Sequence, residues 1–275
     1  VGRGSDEAID LLMRVYCRAG VDNVIICPPT FGMYGVAARI QGAEVRAVPL
    51  KADAGFALDE AALLARVDDN TKLVFVCSPN NPTANVVQPD QLLRIARALA
   101  PRALLVVDEA YIDFAPVESL CRWLDEIPGL AILKTLSKAH GLAGARVGAL
   151  IAAPEVIALA RKVIPPYAIT ELTVETVSPL LEPAAIERMR ARVAQLLQER
   201  ARLAEGLARS PLITKVWPSD ANFLLLDSSN PAEVLARVRS AGLIIRDVRQ
   251  PALPNSLRIS VGTPEQNNRV LESLK

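Results

Sequence analysis

Apolar residues along the chain follow two rhythms. Uninterrupted apolar runs at 24–27, 73–77, 103–107 and 130–133 are short and bounded by turn-forming residues, so they predict strands buried on both faces. Further strands are expected at 45–50, 147–152, 222–226, 243–246 and 257–261. The second rhythm has the period of a helix. Ile9, Leu12, Met13 and Tyr16 share one face of a helix that Ser5 can cap, with Asp6 and Glu7 in its first turn. Helices are likewise expected over 59–67, 90–100, 154–164, 231–241 and 264–274. A longer amphipathic helix is expected over 184–207, with Arg- and Glu-rich faces turned to solvent.

From position 72 to 111 the order is strand, turn, helix, strand, which is a βαβ unit with a right-handed crossover and a parallel sheet covered on both sides. Pro165-Pro166-Tyr167 breaks a helix, and the pattern beyond it is one of shorter, mixed elements. The expected fold is therefore α/β: a large domain over 1–165 built on a mostly parallel central sheet, and a smaller α+β domain over 166–275.

Composition narrows the function classes. Lys and Arg number 31 and Asp and Glu 30, a formal net charge of +1 that supplies no field for nucleic acid or an anionic membrane. No apolar run approaches the roughly 20 residues that span a bilayer. The four cysteines, Cys17, Cys27, Cys77 and Cys121, are far apart and read as reduced thiols of a cytoplasmic protein. A single histidine, His140, argues against a histidine metal centre and a Ser-His-Asp triad, so no metal is expected. The chain opens Val1-Gly2-Arg3-Gly4, without an initiator methionine, and runs straight into a helix signal, so a preceding segment is expected.

The candidate chemistry lies at strand ends. Asn81, Asp108 and Lys138 each fall just beyond the carboxyl end of an expected strand, the edge where open α/β sheets bind ligands. Lys138 sits in a loop of small and polar residues between two core strands, and Arg146 returns a fixed positive charge after it. The amides at the start of the first helix can hold a phosphate, Phe31 can offer a ring face, and Arg246 and Arg258 can clamp an anion. Each has an ordinary reading taken singly: a surface lysine, a capped helix, a core ring, a structural ion pair. Together they meet the needs of pyridoxal 5'-phosphate, which requires a lysine for its aldehyde and a carboxylate for its ring nitrogen.

Ser78-Pro79-Asn80-Asn81-Pro82-Thr83, Asp108-Glu109-Ala110-Tyr111, Thr135-Leu136-Ser137-Lys138-Ala139 and Arg258-Ile259-Ser260-Val261-Gly262-Thr263 stand in the order and spacing of fold-type-I aminotransferases. More narrowly, Gly4-Ser5-Asp6-Glu7, the stretch from Cys27 to Tyr34 and Val163-Ile164-Pro165-Pro166-Tyr167 resemble the histidinol-phosphate aminotransferase family. That resemblance covers essentially the whole chain. It implies Lys138 as the lysine that carries the cofactor and later moves the proton, with Asp108 facing the pyridine nitrogen. By the same resemblance Tyr111 and Asn81 bond the phenolic oxygen and Phe31 stacks on the ring. Ser137, Arg146 and the amides of Ser5, Asp6 and Glu7 take the phosphate, and Arg246 and Arg258 take the anionic groups of the substrate. Three positions depart from the family pattern: Ala84 stands for glycine, His140 for phenylalanine and Ala145 for leucine.

The resemblance further implies a homodimer that transfers an amino group between L-histidinol phosphate and 2-oxoglutarate in histidine biosynthesis. The alternatives it leaves are an aromatic or aspartate aminotransferase, a phosphothreonine decarboxylase, or a non-catalytic regulatory module that binds the same cofactor.

Overall fold

A computed structural model describes residues 1–275. Six strands form the first sheet: β1 Asn23–Ile26, β2 Glu44–Ala47, β3 Thr71–Cys77, β4 Leu104–Asp108, β5 Leu130–Thr135 and β6 Gly148–Ala152. They run in the order β2-β1-β3-β4-β5-β6, all parallel except β6, which pairs antiparallel with β5. The near-continuous apolar runs follow from this arrangement, because alternate residues of one strand enter different cores. Val24, Leu73, Phe75 and Val106 pack under the helices α1 Ser5–Tyr16, α2 Met33–Gln41 and α5 Pro154–Arg161. Ile25, Val74, Val76, Leu105 and Ile132 face the other way, against α3 Glu60–Ala65 and α4 Pro89–Leu99.

The second sheet is antiparallel, with strands β7 Ile213–Val216, β8 Phe223–Ser228, β9 Arg246–Asp247 and β10 Ser256–Ser260 in the order β7-β8-β10-β9. The helices α7 Pro183–Leu207, α8 Pro231–Ser240 and α9 Pro264–Ser273 cover it through Leu203, Leu207, Val234, Val238 and Val270. A short helix, α6 Glu171–Val177, leads into α7. Where the sheets approach each other, Ala84, Tyr111, Phe114, Met189, Val193 and Phe223 form one apolar cluster. No helix is long and apolar enough to cross a membrane.

The expected α/β architecture stands, with four local corrections. Ser5 is not the cap of α1: Gly4 holds that position at φ 84°, and Ser5 is the first helical residue. A side chain at Gly4 would strike Arg146, so the cap is a position of close approach. The strand expected at 243–246 shrinks to Arg246–Asp247, because Gly242 turns the chain at φ 71° and leaves Ile244 94% exposed. Helix α2 went unpredicted because Gly32, Gly35 and the two upstream prolines mask its period, although Tyr34, Ala37 and Ala38 pack it firmly on the sheet. Strand β7 went unpredicted because only Ile213 of its four residues is buried.

Candidate active site

The carboxyl ends of β3, β4 and β5 open into a cavity of about 630 Å³ whose opposite wall is built by β9, β10 and the loop after β9. Asp108 is the last residue of β4 and lies at its floor, 3% exposed. Its Oδ2 accepts a hydrogen bond from the Tyr34 hydroxyl at 2.8 Å and its Oδ1 accepts from the Ala110 N–H at 3.0 Å. Burial, with a smaller push from Asp6, raises its pKa to about 6 against the pull of Tyr34, Ala110 and Lys138.

Lys138 enters from the loop between β5 and β6, its Nζ 5.3 Å from the centre of the Tyr111 ring. The loop is held by its own backbone: Leu136 N–H donates to Val147 O, Leu142 N–H to Leu136 O and Gly141 N–H to Lys138 O, each at 3.0 Å. Burial and the neighbouring Arg258 charge push the Lys138 ammonium below its ordinary value, and the carboxylates of Asp108 and Asp6 act the other way. Tyr111 is buried edge-on against Phe223, with ring centres 5.2 Å apart, and burial keeps its phenol protonated.

A cradle for an anion lies beside Lys138. Gly2 and Gly148 exchange two backbone hydrogen bonds, at 2.9 and 3.0 Å, which brings the first turn of α1 against β6. A Cβ on Gly148 would sit 2.5 Å from the Ser5 nitrogen, and one on Gly4 would sit 2.7 Å from Nη2 of Arg146. Glycine at both positions therefore lets the helix start, Ser137 and Arg146 border one space. Arg146 itself is left-handed, at φ 53°, and its guanidinium donates to Ala143 O at 3.2 Å and meets Asp6 at 3.4 Å.

The wall opposite Lys138 is cationic. Arg258 on β10 and Arg246 on β9 are register partners. Arg258 donates to Asn81 Oδ1 at 2.7 Å and lies 4.8 Å from the Phe223 ring centre, while its buried Nε has no partner. A buried guanidinium nitrogen left unpaired is poised for a ligand oxygen.

Of the residues singled out from the sequence, Ser5, Asp6, Phe31, Asn81, Asp108, Tyr111, Ser137, Lys138, Arg146, Arg246 and Arg258 border this cavity. Glu7 does not; its carboxylate is taken by the backbone N–H of Arg3 at 2.7 Å and by Arg3 Nε at 2.8 Å. His140 borders a separate hollow with Asp113, Met189 and Arg190. Two groups on the site escaped the sequence reading. Tyr34 supports Asp108 from behind the cavity lining; it lies three positions after Phe31, which precedes α2, so no helical spacing marked it. Arg249 borders the cavity but is held by Asp247 at 2.7 Å, an ion pair across a turn that no periodicity announces.

The profile of the family "Aminotransferase class I and II" matches residues 1–274. A histidinol-phosphate aminotransferase of Stenotrophomonas maltophilia is 44% identical over 277 aligned residues, covering 100% of this chain and 76% of the relative. One of Cronobacter sakazakii is 43% identical with the same coverage. The crystal structure of histidinol-phosphate aminotransferase from Sinorhizobium meliloti, in complex with pyridoxal-5'-phosphate, superposes with a TM-score of 0.86 at 25% identity, over 99% of this chain and 74% of that one. The fold of the Clostridium acetobutylicum enzyme matches with a TM-score of 0.87 at 21% identity, over 100% and 81%. The chain thus belongs to the class I and II aminotransferases and, within them, to the histidinol-phosphate aminotransferase family.

Proposed function

We propose that this chain transfers an amino group between L-histidinol phosphate and 2-oxoglutarate with pyridoxal 5'-phosphate as cofactor, a step of histidine biosynthesis. The observation that carries the reading is one cavity holding Lys138 and Asp108 from the first sheet against the Arg246–Arg258 pair of the second. The residues fit the cofactor. Gly4 and Gly148 let the start of α1 lie against β6 beside Ser137 and Arg146, the donor set a phosphate needs, and on the facing wall the buried Arg258 Nε lacks a partner that a substrate anion would supply.

When bound, pyridoxal phosphate supplies an aldehyde to take the amino group and a ring to spread the electron pair left at the substrate carbon. Ser137, Arg146 and the first amides of α1 would hold its phosphate, with Phe31 against one ring face. Asp108 would present a negative charge to the ring nitrogen, and Asn81 and Tyr111 would donate to the phenolic oxygen. Lys138, its ammonium disfavoured by burial, can give up and take back a proton at Nζ. Arg246 and Arg258 offer planar forks that bind a carboxylate or a phosphate, so one wall serves both half-reactions.

The division into units 1–165 and 166–275 and the homodimer belong to the same reading. Tyr167, Leu172 and Val174 are 92%, 76% and 51% exposed, which supports an apolar contact with a second subunit. The free cysteines support a cytoplasmic setting. The test is to supply purified enzyme with the cofactor, L-histidinol phosphate and 2-oxoglutarate, and to measure glutamate and imidazole-acetol phosphate. Turnover confined to aspartate or an aromatic amino acid sinks the substrate assignment. Carbon dioxide from phosphothreonine makes the enzyme a decarboxylase, and cofactor binding without any turnover makes it a non-catalytic module.

A further inference from the structure

Tyr34 is fully buried on α2, stacked on Phe75 with ring centres 4.9 Å apart and met edge-on by Phe31 at 5.6 Å. A phenylalanine would make both ring contacts. The hydroxyl must therefore be explained separately, since a buried phenol without a partner is costly. Its partner is Asp108 Oδ2 at 2.8 Å, 74 positions away in the chain. Burial and the Asp108 charge keep that phenol protonated, so it stays a donor.

The other groups facing Asp108 pull in both directions. Asp6 on α1 opposes its charge, and Lys138 beyond β5 favours it. Cys77 at the end of β3 and Tyr111 beyond β4 also face it, both held neutral by burial. Lys138 is committed to chemistry in the proposed reaction and changes its charge during it. Tyr34 and the Ala110 N–H are the two donors with fixed positions.

We propose that Tyr34 is a positioning residue for the reaction: its hydroxyl holds the Asp108 carboxylate ionised and turned so that a lone pair faces the cavity. The assignment rests on the reading of Asp108 as partner of the cofactor's ring nitrogen. Phe75 and Phe31 clamp the phenol, so the hydroxyl keeps its place while the cofactor and Lys138 exchange protons.

Tyr34→Phe removes the hydroxyl and keeps both ring contacts. In cofactor-free enzyme carrying ¹³C-labelled aspartate, the Asp108 carboxyl, identified by its loss in Asp108→Asn, should titrate roughly one pH unit higher in Tyr34→Phe, because a donor to the charged form is gone. In the loaded enzyme the acid limb of kcat/KM should move up in parallel, and cofactor affinity at mildly acidic pH should fall about tenfold. Added to Asp108→Asn, Tyr34→Phe should change neither further. An unmoved titration, or an equal loss with and without Asp108, overturns the proposal, since simple packing would give that result. Normal cofactor affinity and turnover in Asp108→Asn would remove instead the reading on which it rests.

Discussion

At Asp108 the surroundings oppose the charge that the proposed chemistry needs. Its folded value of about 6 lies above the ordinary 3.8, so the folded protein holds the proton more tightly than the unfolded chain. Stability is therefore fully present below about pH 4 and is lost as pH rises to about 6, by roughly 3 kcal/mol at most. Asp108→Asn should accordingly stabilise the cofactor-free protein by about 1–3 kcal/mol at neutral pH and give no gain near pH 4, as read by urea denaturation at both. An equal effect at the two pH values would show that its charge is not what costs stability. Ala84 is strained in another way: it is wholly buried at φ 65°. Glycine there relieves about 1–2 kcal/mol of left-handed strain but loses about 0.8 kcal/mol of methyl burial and up to about 1 of chain entropy. Ala84→Gly should thus stay within about 1 kcal/mol of the parent, whereas Ala84→Val, β-branched in that conformation, should cost more than about 2 in the same denaturation assay. The departure from glycine was legible in the sequence, but the left-handed backbone angle that makes alanine strained there was not.

Helix α1 is the element whose placement makes the proposed phosphate site, and its own sequence accounts for only part of that. The apolar face of Ile9, Leu12 and Met13 fixes the side it buries. How near its first turn comes to Arg146 is decided by Gly148, 140 and more positions downstream, since a Cβ there would lie 2.5 Å from the carbonyl carbon of Gly4 and from Ser5 N. Gly148→Ala must push α1 off β6, and it should cost about 1–3 kcal/mol of stability and weaken cofactor binding, measured by thermal unfolding and cofactor titration. Gly144→Ala, where an added Cβ meets nothing within 4 Å, should leave stability within about 0.5 kcal/mol. If both variants behaved alike, the close approach of α1 would not be what builds the cradle.

Across the whole molecule the cavity exists only because the two sheets face each other, and Arg258 is a cavity side chain that spans the gap. Its bond to Asn81 joins residues 177 apart in sequence. Arg258→Lys keeps the charge but loses the planar fork, so it should raise KM for both histidinol phosphate and 2-oxoglutarate by about tenfold or more. Steady-state kinetics of the two half-reactions checks this, and a loss confined to one of them would separate Arg258 from the shared clamp.

The sequence by itself determined the strands and helices whose periods are strong, the βαβ order, and the positions of Asn81, Asp108 and Lys138 at strand ends. Those features depend on local alternation and on a general property of open parallel sheets, so neighbouring residues encode them. Only the tertiary structure decided that Tyr34 donates to Asp108, that Gly4 and Gly148 let a helix start meet Arg146, that Glu7 turns to Arg3, and that the run at 243–246 is strand only at Arg246. Each of these depends on which atoms from distant segments come within a few ångströms and on how much water is excluded around them. Hydrogen-bond geometry and close approach between distant segments are set by packing, and unlike the burial of a strand or helix face they leave no period in the chain.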